Sequence, residues 1–266
     1  MTVTSLARSR EYLAGQRRSI LARAVAGSLT NALPVPFLDD WATGLVVGGG
    51  YRRIAAAHHI DLDDSARKTL VHGSTPPPSI TDLAASGIML RLAGTAARRM
   101  LVALATIDRA RSAARTFVTM TLFDHYCAKL HTGLAIDGPT ALALRDEISR
   151  AIDQTPGALV LHPFRRGAMA AARATLRAPL ELADLATRGA VRRLLARRST
   201  TTVTDAEAVD ALDQAVETAL AAKSGFLSRT VAAVEVQLSA EANPYLDAAI
   251  DTFDRRWRAR IAAGVR

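Results

Sequence analysis

Cysteine is almost missing: Cys127 stands alone in 266 residues, which excludes an intrachain disulfide and any multi-cysteine zinc site. It lies in FDHYCAKL, a helical pattern, and reads as a small buried hydrophobe. Aromatic residues are scarce at 5%. Alternating apolar and polar runs are missing too, since TTV and ALVL are too short and partnerless to make strands. No run of about 18 apolar residues is present. The nearest candidate, Ile88–Ile107, carries Arg91, Arg98 and Arg99, which are costly near a bilayer centre. MTVTSLARSREYLAGQRRS holds no uninterrupted apolar stretch, so no secretory peptide is read there. P-loop, GxSxG, HExxH, CxxC and EF-hand patterns are all lacking. Negative charge is in deficit, with 25 Asp and Glu against 34 Lys and Arg.

What remains is alanine, leucine and arginine. Hydrophobic residues reach 49%, a globular value, and the length suffices for a sizeable core. Alanine is the best helix former, whereas strands favour β-branched and aromatic residues. The expected fold is therefore all-α: a bundle of about seven to nine Ala/Leu-rich helices with no sheet. The net charge of +9 and a pI of about 10.6 attract anionic partners, whether lipid, nucleic acid or acidic protein. Arginine supplies most of that charge, so genome composition is a competing source for it.

Helical periodicity starts at Leu6 and runs to Leu33, with Leu13, Ile20, Leu21, Val25 and Leu29 on one stripe. Pro34 and Pro36 end this helix, because proline lacks an amide donor and restricts its predecessor. Asp39 or Asp40 caps the next, which runs toward His59. Gly44 and Gly48 in it have the spacing that lets another helix come close. Asp61–Asp64 offers a cap for a short helix over Ser65–Val71, and HGSTPPPS is a loop. A long helical region from Ser79 to about Leu130 is interrupted near Gly94. Asp137 before Gly138 and Pro139 marks another start, since proline suits the first turn. Pro163–Arg198 reads as a basic amphipathic helix, with Arg166, Arg173, Arg177 and Arg188 on one face and Met169, Leu176, Leu180 and Leu194 on another. Thr204 and Glu207 have capping-box spacing. Asn243-Pro244 opens a last helix ending in DRRWRARIAAGVR. Two subdomains are expected, 1–135 with the proline turn and 136–266 with the basic helices, packed as one unit.

Each chemically active residue has a plain alternative. Gly48-Gly49-Gly50 lacks the Lys-Ser/Thr of a phosphate loop and reads as close packing or a hinge. His58, His59, Asp61, Asp63 and Asp64 have metal-ligand chemistry. Adjacent helical histidines diverge by about 100°, however, so a helix terminus followed by a cap explains them as well. His125 and His131 are six apart and share no face. Asp39 and Asp40 suit an acid–base pair if burial splits them, or else N-capping. The arginines Arg166, Arg173, Arg177, Arg188, Arg192, Arg193, Arg197 and Arg198 are candidates for anionic-surface binding, as are the shorter groups at Arg17, Arg98 and Arg255–Arg260. A solvated polar face is the alternative. Trp257, inside RRWRAR, suits a membrane interface or a stacked base, and equally a staple to the core. No catalytic residue, cofactor or metal is expected.

ALPVPFLDDWATG followed by YRRIAAAHHIDLD resembles the signature of a helical family of unknown function, found in the bacterial inner-membrane protein YcjF and attached to Era-like GTPases. Pro34, Pro36 and Asp39 match its turn. Arg53, Ile54 and Ala55 match the run that follows, and Ile60 and Leu62 its end. His58 and His59 stand where Tyr-Gly is usual. The resemblance covers about Ala26 to Leu130. A further similarity is to the EcsC family, through a proline turn and a basic, alanine-rich helix set. Both resemblances imply a helical, membrane-associated accessory protein and supply no catalytic residues. The expectation is a non-enzymatic, cytoplasmic protein, peripheral at the inner membrane, that binds anionic lipid or a partner such as a GTPase. A nucleic-acid binder is the alternative, and a metal-dependent enzyme using Asp39, Asp40 and His58–Asp64 a second one.

Overall fold

Alanine-rich sequence without strand patterning produces helices here. The computed structural model describes residues 10–30, 38–75, 98–159, 226–240 and 244–264, together with Phe164, Gln214 and Thr218. A short 3-10 turn, Glu11–Leu13, leads into α1 (Ala14–Thr30). Helices α2 (Leu38–Ala57) and α3 (Asp64–His72) follow, then α4 (Arg98–Lys129), α5 (Gly138–Asp153), α6 (Phe226–Ala240) and α7 (Pro244–Ala262). Among the described residues the one strand pairing is a two-residue parallel one. In it β1 (Asp61–Leu62) lies against β2 (Ala135–Ile136), with Leu62 opposite Ile136 and both buried. A sheet this small is a clasp: it ties the exit of α2 to the entrance of α5.

α1 lies at the centre and packs on α2, α4 and α6. It buries Ile20, Leu21, Ala22, Ala24 and Val25 in nearly unbroken succession, as a helix covered on several sides must. Even Arg23 is 1% exposed. Space for it comes from α2, where a Cβ on Gly50 would stand 2.7 Å from Arg23 Cδ and 2.5 Å from Met120 Cε. The same helix meets α3 through glycine. A Cβ at Gly44 would lie 3.1 Å from the His72 ring, and one at Gly48 would lie 2.9 Å from an Arg67 guanidinium nitrogen. Small residues thus trade intrinsic helix propensity, about 1 kcal/mol for each glycine, for close approach.

α2 ends in a reciprocal pair of turns. Ile60 N–H donates to Ala55 C=O at 2.9 Å and His59 N–H to Ala56 C=O at 3.1 Å, with His59 left-handed at φ 58°. Asp63 then caps α3 by accepting from Ala66 N–H at 2.5 Å. The far end of α3 is covered by α5: Arg145 donates to Leu70 C=O at 2.7 Å and to Val71 C=O. α5 itself begins as its Asp-Gly-Pro sequence suggests, with Asp137 accepting from Thr140 N–H at 2.9 Å.

α7 closes the bundle against α5 and α4. Ala249, Ile250, Phe253 and Trp257 form its buried stripe. The Trp257 indole is 6% exposed, edge-on to Tyr126 at 4.9 Å between ring centroids and stacked on Phe253 at 6.2 Å. Such a side chain is worth about 1.5–3 kcal/mol when buried. Its interfacial reading is corrected accordingly, because an indole enclosed by Tyr126 and Phe253 holds α7 to the core and is out of reach of a headgroup. No described helix is long and apolar enough to cross a membrane.

Candidate functional site

The buried stripe of α7 dictates what its flank carries. With Phe253 and Trp257 turned inward, Arg256 and Arg260, one turn apart, run along the side facing α5. There α5 presents Glu147, which is 3% exposed although its neighbours Leu144, Ile148 and Ala151 are apolar. A carboxylate buried in that way needs compensation, and three arginines provide it. Arg256 Nε donates to Glu147 Oε2 at 2.8 Å, and Arg150 Nη1 donates to Oε1 at 2.9 Å. Arg260 stands 3.6 Å from the same carboxylate. Arg256 also reaches Gln154 Oε1 at 3.1 Å. Above this hub lies an open cavity of about 400 Å3, lined by Glu147, Arg255, Arg256, Ala259 and Arg260. Charge-assisted bonds of this kind are the stronger class. One carboxylate against four guanidiniums still leaves an excess of positive charge.

A second polar assembly joins the N-terminal turn, α2, α4 and α7. His58, near the end of α2, bonds through Nε2 to Asp124 Oδ1 at 2.7 Å. Asp124 is fully buried and its Oδ2 has no hydrogen-bond partner among the described residues. Burial pushes its carboxyl above the usual range, and the bond and charge of His58 offset this only in part. His125 bonds Tyr12 through Nδ1 and Asp254 through Nε2, the latter at 2.5 Å. Burial raises the Tyr12 phenol to about 12, with Arg10 opposing the rise. The phenol therefore stays protonated at neutral pH, and the carboxylate–imidazole–phenol array ties three segments together. Arg10 extends the tie to Asp247 and, at 2.6 Å, to Asp251.

The metal-type residues of the sequence are dispersed by this arrangement. His58 serves Asp124, Asp63 caps α3, and Asp64 bonds Arg67 Nε at 3.1 Å. Asp64 is lowered in pKa, since the Arg67 hydrogen bond and charge outweigh the rise caused by burial. His59 ends α2 with its side chain exposed. Among the described residues no three His, Cys, Asp or Glu side chains gather as metal ligands. Cys127 is buried, which raises its thiol pKa strongly. Tyr126 bonds His131 Nδ1 at 3.1 Å, so His131 is joined to the aromatic cluster around Trp257.

Pro34, Pro36, Arg166, Arg173, Arg177, Arg188, Arg192, Arg193, Arg197 and Arg198 lie outside the described residues, as do the side chains of Asp39 and Asp40. Gly44 and Gly48 sit against α3. Of the basic groups singled out in the sequence, Arg17-Arg18 and Arg255–Arg260 lie among the residues whose side chains are described. Glu147 carried no signal of its own, because its partners Arg256 and Arg260 are more than 100 residues away and only the folded chain brings them to it. No protein-family model, curated protein or solved structure matches the sequence.

Proposed function

We propose that the protein is a non-enzymatic helical module that works at an anionic membrane surface, peripheral to the cytoplasmic face. The carrying observation is the outer end of α7. Arg255 and Arg258 are exposed there, Arg256 and Arg260 are half-buried beside them, and Ile261 is 60% exposed. An aliphatic side chain open to water among arginines suits the boundary between headgroups and acyl chains. Each basic residue near an anionic leaflet contributes about 1 kcal/mol, so a few give reversible attachment. Trp257 acts behind this face as its anchor to the core. The net charge of +9 favours the same partner. The resemblance of Ala26–Leu130 to a helical family attached to GTPases supports an accessory role, in which the module presents a partner protein to the membrane.

Vesicle flotation tests the reading. The full chain should float with vesicles containing anionic lipid and remain behind with pure phosphatidylcholine. Equal recovery with both would sink it. Tighter binding to duplex DNA than to anionic vesicles at the same salt would replace it with a nucleic-acid role.

A further inference from the structure

We infer that the cavity between α5 and α7 is a headgroup site for a lipid bearing a phosphate monoester, with Arg255, Arg256 and Arg260 as phosphate ligands and Glu147 as the positioning residue beneath them; this rests on the membrane-surface reading. The cavity's volume of about 400 Å3 falls within the range of small-ligand sites, about 300–1,000 Å3. Three of its five lining residues are arginines. Each guanidinium has five donors in a planar fork. The bonds drawn within the fold use a fraction of them: Arg256 spends Nε on Glu147 and Nη1 on Gln154, and Arg255 spends one nitrogen on Thr252 Oγ1 at 3.1 Å. Arg260 stands off from Glu147 at 3.6 Å, beyond hydrogen-bond length.

Glu147 organises the donors around the cavity. It fixes Arg256 and Arg150 in place, so part of the ordering cost of binding is met before a ligand arrives. Its negative charge also lies beneath the cavity and repels whatever enters. The arginine excess outweighs that repulsion, and since both scale with ligand charge a diester headgroup, with one charge, gains less than a dianion. A monoester carries about −1.5 to −2 at pH 7, with a second pKa near 6 and three strong acceptor oxygens. Arginines around it favour the more charged form further. Forked donors matched to several phosphate oxygens give geometric selectivity beyond point charge. A lipid headgroup and a soluble monoester share this chemistry; the lipid is taken as the source because the cavity opens at the same outer end of α7 as the exposed Arg258 and Ile261 on which the membrane-surface reading rests.

The test compares phosphatidylcholine vesicles doped with phosphatidic acid and with phosphatidylglycerol, adjusted to equal surface charge. Wild type should bind the phosphatidic acid vesicles about tenfold more tightly, the effect of one charge-assisted contact. The Arg255→Gln/Arg260→Gln variant should fall to the phosphatidylglycerol level on both. Arg258→Gln, exposed but outside the cavity lining, should weaken both equally and keep the preference. Melting curves check that each variant is folded; Arg255→Gln alone, at an exposed position, carries the test if the double variant is not. Equal wild-type affinity for the two vesicle types overturns the headgroup site and leaves the membrane reading intact. Titration with glycerol 3-phosphate separates the remaining outcomes. Saturable binding of it by wild type without vesicle binding overturns the lipid assignment and the membrane reading together, and reassigns the cavity to a soluble phosphate monoester. No binding of either kind overturns both proposals.

Discussion

His58 and His59 are adjacent and chemically identical, yet the fold uses them in opposite ways. His59 occupies the left-handed position that closes α2, at φ 58°, where its side chain is exposed. A left-handed residue with a Cβ costs roughly 1–2 kcal/mol, and glycine avoids that cost at the expense of more freedom when unfolded. His59→Gly should therefore raise stability by about 0.5–1 kcal/mol, a melting-temperature gain of roughly 1–4 °C for a chain of this size. His58 is the hydrogen-bond partner of a buried carboxylate whose other oxygen has none among the described residues. His58→Ala should cost about 1–3 kcal/mol, the penalty of leaving that group unpaired. Thermal melts of the two single variants should move in opposite directions; parallel shifts would refute the assignment of roles.

At the scale of elements, helix starts are the best test of what local sequence controls. Asp137 caps α5 by accepting from Thr140 N–H, and hydrogen bonding from the Thr140 side chain first and from this N–H second lowers its pKa. Asp137→Ala should cost about 1 kcal/mol at neutral pH. A carboxyl whose folded pKa is depressed stabilises the fold above its unfolded pKa, near 4, and loses that contribution as pH falls through the folded value. The difference between Asp137→Ala and wild type should thus vanish in strong acid, as melts across the pH range will show; a constant difference would mean the carboxylate is not the cap. The starts of α3, α5 and α7 were legible because capping aspartates and prolines act within a few residues. The close packing of α3 on Gly44 and Gly48 also has a spacing that can be read along the chain. The clasp between Asp61–Leu62 and Ala135–Ile136 could not be read, because two residues per strand carry no periodicity and their pairing is set by helices on either side. The site was legible only by half. RRWRAR is conspicuous as charge, but whether its tryptophan faces water or core depends on Tyr126 and Phe253. Glu147 needs a helix more than 100 residues away before it means anything.

For the whole molecule the governing quantity is an excess of nine positive charges on 266 residues. Self-repulsion among them works against the folded state, while their summed field draws the chain to an anionic surface. Salt weakens both effects, since the screening length falls from about 30 Å at 0.01 M to about 8 Å at 0.15 M. Pairs at close range, such as Glu147 with Arg150 and Arg256, are screened much less. The two responses should accordingly have opposite signs. Between 0.01 and 0.15 M sodium chloride the melting temperature should rise, because repulsion between distant charges fades while the short pairs persist. Over the same interval affinity for vesicles of fixed anionic content should fall at least about tenfold, as the roughly 1 kcal/mol from each basic residue is progressively screened. Melting curves and flotation in matched buffers measure both. Affinity that holds or grows with salt would show that burial of apolar groups such as Ile261 dominates the attachment, and the arginines of α7 would then have to be reassigned to holding the bundle together.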